Sequence, residues 1–164
     1  MHARINVASV APEVYRHLMQ LEVLVAGKIE PRLLHLVKLR ASQINGCAYC
    51  IGMHTVEALR DGDTPERLTL LDAWRESSQF SEREGAALQW VEEITDIART
   101  RASDEAFARL QSQFGEEEIV WLTTAATLIN AWNRIAIASR LEYRAAQQPA
   151  AQAETAATVE LTVG

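Results

Sequence analysis

Residues 116 to 142 restrict this chain more than any other stretch. Ile119, Val120, Trp121, Leu122, Ala125, Ala126, Leu128, Ile129, Trp132, Ile135 and Ile137 leave little polar surface at helical spacing. A helix that is apolar nearly all round must be covered on every side. The cover is either the other helices of one chain or a second copy, and both coverings are open at this point. No strand-like alternation of any length appears, the last few residues apart. An all-α fold of about six to seven helices follows.

The remaining helices announce themselves by caps and periodicity. Pro12 opens the first, with Val14, Leu18, Leu21 and Val25 at amphipathic spacing and Gly27 as its stop. Pro31 opens a second that runs to about Ser42, apolar over most of its circumference. A narrow polar stripe of His35, Lys38 and Ser42 leads from it towards the two cysteines, either as a solvated edge or as the lining of a site. Asn45-Gly46 breaks the helix. A third helix then runs from about Cys47 to Arg60, so these two should form a hairpin or a bent pair. Thr64-Pro65-Glu66 starts a fourth, ending near Trp74. Ser81-Glu82-Arg83-Glu84 is a capping box for a fifth that reaches Thr100, with Ala87, Trp90, Val91, Ile94 and Ile97 facing inward. Ser103 caps a sixth that ends at Gly115. Residues 1–144 read as one helical domain and residues 145–164, rich in Ala, Gln and Thr, as a flexible C-terminal tail.

Composition narrows the function. The formal net charge of −6, with Lys28 and Lys38 as the only lysines, argues against a nucleic-acid partner. No stretch reaches about 18 uninterrupted apolar residues, so no membrane span is expected. The N-terminus lacks a signal-peptide pattern, so a cytoplasmic location is expected.

Cys47 and Cys50, the only cysteines, are followed by His54. At about 100° per residue, all three share one face of a helix. An imidazole one turn from a thiol can take its proton, and a thiolate at the first turn of a helix is stabilised by unpaired N–H groups. The other thiol can then close a disulfide. Other readings stay open. The cysteines could be buried apolar residues. With His54, and with His35 as a further ligand, they could bind zinc, although no second C-x-x-C or H-x-H supplies a closed site. A thioredoxin-like motif would need strands that the flanks lack. Trp90, Trp121 and Trp132 read as core rather than as substrate contacts.

The run Leu36-Val37-Lys38-Leu39-Arg40-Ala41-Ser42-Gln43-Ile44-Asn45-Gly46-Cys47-Ala48-Tyr49-Cys50-Ile51-Gly52-Met53-His54 closely resembles the core motif of the alkylhydroperoxidase D-like family, within the carboxymuconolactone decarboxylase superfamily. Asn130-Ala131-Trp132-Asn133-Arg134 resembles part of that family's last helix. The resemblance spans roughly residues 10 to 142. It implies an all-α fold, a homo-trimer or homo-hexamer, and a thiol-dependent peroxidase that reduces organic hydroperoxides in antioxidant defence. Carried over, Cys50 is the peroxidatic thiolate, Cys47 the resolving thiol of a Cys47–Cys50 disulfide, and His54 the base that helps deprotonate Cys50. No bound cofactor or metal is implied. The reductant is an external protein or small-molecule dithiol, such as a dihydrolipoyl group. The decarboxylase branch lacks the cysteine pair.

Two positions depart from the family pattern. His35 stands twelve residues before Cys47, where the family carries a relay glutamate. It would be the relay residue in its place, with Glu57 or Glu30 as compensating carboxylates. Tyr49 stands between the cysteines where the well-studied peroxidases have histidine. A redox-sensing or disulfide-exchange module without efficient turnover is the alternative function.

Overall fold

The computed structural model describes residues 2–143, and within them every regular element is helical. The expected tail at 145–164 lies outside the described residues. A short α1 (Val7–Val10), capped by Asn6, precedes α2 (Pro12–Ala26). Then come α3 (Pro31–Asn45), α4 (Ala48–Arg60) and α5 (Pro65–Leu70), the last continued by a 3₁₀ segment, Leu71–Glu76. The chain goes on through α6 (Glu82–Thr95), α7 (Ile97–Thr100), α8 (Asp104–Gln111) and α9 (Glu116–Ser139).

The caps read from the sequence are in place. The hydroxyls of Thr64, Ser81 and Ser103 accept from the N–H groups of Arg67, Glu84 and Ala106. Glu84 completes its capping box by accepting from the Ser81 N–H at 2.8 Å.

Several boundaries differ from expectation. The fourth helix tightens to 3₁₀ after Leu70, because Ala73 leaves helical geometry (φ −111°, ψ 31°). The fifth stops at Thr95 rather than Thr100, where Asp96 kinks the chain (φ −107°, ψ 32°). Ile97, expected inside, is thereby turned out and is 50% exposed. The last helix ends at Ser139 rather than 142: Arg140 turns left-handed (φ 53°) and the Leu141 N–H bonds to the carbonyl of Ala136.

Helix α3 lies at the centre, packed on α4, α6 and α9. Its apolar circumference divides between two cores. Leu33, Leu34, Val37 and Ala41 join the larger core with α4, α6, α8 and α9, while Leu36 and Leu39 join a smaller one with Ala58, Leu68, Leu71, Trp74 and Leu88. Helix α9 is covered within the chain, by α2, α3, α4, α6 and α8. Val120 and Ile137 are the parts of its apolar surface that stay largely open. Among the described residues no helix is long and apolar enough to cross a membrane.

Candidate active site

The site is built at the junction of α3 and α4. Gly46 takes a left-handed conformation (φ 69°), which ends α3 without a Cβ penalty. Its N–H and that of Cys47 bond back to the carbonyls of Gln43 and Ser42 at 3.1 and 3.0 Å. Cys47 thereby falls on the N-cap of α4, where its sulfur accepts from the Cys50 N–H at 3.3 Å. A sulfur thus fills the slot that Ser or Asp usually holds.

Cys47 and Cys50 are joined as a disulfide, with Cα atoms 5.4 Å apart. Both sulfurs are buried, but unequally placed. Both belong to the larger core, but of the two only Cys50 lines a cavity of about 240 Å³. His54 and Glu57 of α4 share that cavity with Glu22 of α2 and Lys38 of α3. Tyr15, Met19, Met53, Ile129, Trp132 and Leu141 form its apolar walls. Elsewhere on α4, a Cβ on Gly52 would stand 2.6 Å from the ring of Tyr143, so glycine at this position lets that ring lie against the helix.

His54 is 4% exposed. Its Nδ1 lies 2.8 Å from Glu57 Oε2, and its Nε2 is buried without a hydrogen-bond partner. A carboxylate at Nδ1 holds the proton on that nitrogen and leaves Nε2 a lone pair. The hydrogen bond from His54 draws the Glu57 carboxyl below its ordinary pKa, against the opposing effect of partial burial. The charges of His54, His35 and Lys38 act in the same direction as that hydrogen bond.

His35 does not line the cavity. Its Nδ1 is 3.9 Å from Glu57 Oε2, and its Nε2 is 2.7 Å from Asp61 Oδ2. It stands behind Glu57, and the residue that touches His54 is Glu57 itself. That hydrogen bond from His35 holds the Asp61 carboxyl below its usual range. Glu30 is exposed at the N-cap of α3, away from this group.

The polar stripe on α3 is therefore no solvated edge. His35 meets α4, Lys38 pairs with Glu22 at 2.5 Å, and Ser42 accepts from Asn133 Nδ2 at 3.0 Å. Glu57 carried a signal, its i+3 spacing from His54. Trp132, expected in the core, is half-buried on the cavity wall, its ring edge-on to Tyr15 at 5.4 Å. Trp90 is core, with its N–H on Thr123. Among the described residues no three His, Cys, Asp or Glu side chains are grouped to hold a metal ion.

Residues 12–93 match the carboxymuconolactone decarboxylase family. The uncharacterized protein YdfG of Bacillus subtilis (strain 168) is 40% identical over 139 residues, covering 84% of this chain and 95% of its own. A crystal structure from Agrobacterium tumefaciens, of a protein of unknown function described as a candidate antioxidant defence protein AhpD, superposes with a TM-score of 0.86. It is 44% identical and covers 88% of this chain and 100% of that one. The debrominase Bmp8, solved with 2,3,4-tribromopyrrole, shares the fold at a TM-score of 0.75 and 19% identity, over 82% of this chain and 73% of its own. The chain is a member of the carboxymuconolactone decarboxylase family, on its alkylhydroperoxidase D-like side.

Proposed function

We propose that this protein is a thiol-dependent peroxidase that reduces organic hydroperoxides in cytosolic antioxidant defence. The observation that carries the reading is the asymmetry of the cysteine pair. Both cysteines belong to the core, but only Cys50 lines the largely apolar cavity, which it shares with His54, whose Nε2 is buried without a partner.

In the reduced protein His54 Nε2 takes the Cys50 proton, directly or through a water, with Glu57 steadying the imidazolium. The thiolate attacks the terminal peroxide oxygen. The O–O bond breaks, Cys50 becomes a sulfenic acid, and the alkoxide takes a proton from His54 and leaves as an alcohol. The Cys47 thiol then attacks the Cys50 sulfur, water leaves, and the disulfide closes. An external dithiol of the dihydrolipoyl kind returns two electrons and two protons by thiol–disulfide exchange. A homo-trimer or homo-hexamer is the expected assembly.

The test is a thiol count by alkylation and intact mass, before and after one equivalent of cumene hydroperoxide. The parent should lose both thiols and two hydrogens. Cys47→Ser should stop at a sulfenic acid trappable on Cys50, and Cys50→Ser should not react. Hydroperoxide consumption by Cys50→Ser at the parent rate would overturn the assignment.

A further inference from the structure

The cavity wall holds an ion pair that the scheme above does not use. Lys38 is 8% exposed, and its Nζ lies 2.5 Å from Glu22 Oε2, whose side chain is 14% exposed. Removing two charges from water costs several kcal/mol, and a buried pair seldom repays it in stability. A pair of apolar side chains would close this wall as well. The geometry points to Lys38 as the positioning cation that holds reduced Cys50 as a thiolate, with Glu22 as the competing anion that limits its pull.

The charges around Cys50 support this. Helix α2 presents Glu22 and the phenol of Tyr15. Helix α3 presents Lys38. Helix α4 presents His54, Glu57 and the phenol of Tyr49, with His35 behind Glu57. Among the described residues, helix α9 and the segment after it line the cavity with the uncharged side chains of Ile129, Trp132, Ala136 and Leu141. The wall therefore carries two carboxylates and one ammonium. A thiolate formed there meets two like charges, opposed by the His54 imidazolium that its own proton creates, by Lys38 and by the first turn of α4; Lys38 is the permanent cation among them. The Glu57 carboxyl is held below its ordinary value first by the hydrogen bond from His54, and the Lys38 charge acts in the same direction as the weakest of its causes.

The inference rests on Cys50 being the reacting thiol, and the two fail separately. A purely structural salt bridge is broken equally by losing either partner. An electrostatic device responds with opposite signs. In full-length Cys47→Ser protein, with Cys50 the only thiol, thiolate absorbance is titrated in the ultraviolet. Lys38→Met should raise the midpoint by about one pH unit, and Glu22→Gln should lower it by a similar amount. Lys38→Arg should restore the parent midpoint. The double variant Lys38→Met/Glu22→Gln, which buries no unpaired charge, should lie between the two single variants. Methanethiosulfonate labelling below the midpoint should follow the same order, with about a tenfold step per pH unit. Shifts of the same sign for both single variants, or none, would overturn the inference even if cumene hydroperoxide is consumed by the parent. The opposite-signed shifts would sustain it even if the parent left cumene hydroperoxide untouched.

Discussion

Helix α3 makes two buried polar seams, one with α9 and one with α4. In the α9 seam every amide is paired. Asn45 Nδ2 faces the Ala41 carbonyl, Asn130 Oδ1 and Asn133 Oδ1, each at 2.9 Å. Asn130 Nδ2 reaches Thr95 Oγ1 on α6 at 3.0 Å, Asn133 Nδ2 reaches Ser42 Oγ, and Ser42 donates to the Lys38 carbonyl at 2.7 Å. In the α4 seam His35 Nδ1 and His54 Nε2 are buried without partners. A buried polar atom left unpaired costs about 1–3 kcal/mol, so a fold keeps one where something is to be bound or moved. The saturated seam holds α3, α6 and α9 in register; the open one has two nitrogens to spend on protons.

The strongest way to break that comparison is at His54. His54→Gln should lower the rate of hydroperoxide-driven thiol loss by about a hundredfold or more. It should change stability by less than about 1 kcal/mol, because the group it removes is partly unsatisfied and its partner Glu57 is near the surface. If urea denaturation showed a large loss of stability and the rate held, the open seam would be structural after all.

The converse variant is Asn133→Ala. Asn133 is fully buried and bridges Ser42 to Asn45. Its loss takes away the donor to Ser42 Oγ and one of three acceptors around Asn45 Nδ2, leaves a cavity, and should cost about 2 kcal/mol in urea denaturation. The rate of thiol oxidation per folded chain should stay at the parent value. A collapse of that rate would mean that the Ser42–Cys47 turn transmits the seam to the disulfide, and the two seams would count as one.

These seams were unequally legible in the sequence. Caps at Thr64, Ser81 and Ser103, the break at Gly46 and the face shared by Cys47, Cys50 and His54 are local, set by residues within a turn of each other. The α3 stripe was visible as a pattern, but its meaning depended on which helices would face it. Glu57 could be counted from His54, yet nothing local ranks it above Glu30. Glu22, Tyr15 and Trp132 reach the cavity through the packing of α2 on α9 and of α9 on α4, which no spacing encodes. The kinks at Ala73 and Asp96 are likewise breaks that no proline or glycine at those positions marks.

The smallest expected effect separates the seams by charge rather than by pairing. The α9 seam is built of amides and hydroxyls and does not titrate, so the Asn133→Ala penalty should be flat with pH. The α4 seam rests on Glu57, whose carboxyl sits below its ordinary value of 4.5, first because His54 bonds to it. A carboxyl with a depressed folded-state pKa adds stability above its unfolded value, and that stability is lost as pH falls through the folded value. Glu57→Gln should therefore cost stability at neutral pH, and the gap to the parent should close as pH drops below 4.5. With the Glu57 side chain 33% exposed, the full gap should stay under about 1 kcal/mol. Other depressed carboxyls, Glu84 and Glu92 among them, titrate in both proteins and cancel in the difference. Urea midpoints of parent, Glu57→Gln and Asn133→Ala, taken in steps from neutral to acid pH, measure both slopes at once. A Glu57→Gln gap as flat as that of Asn133→Ala would mean that the α4 seam is held without its carboxylate charge, and that the proton on His54 Nδ1 is not fixed by Glu57.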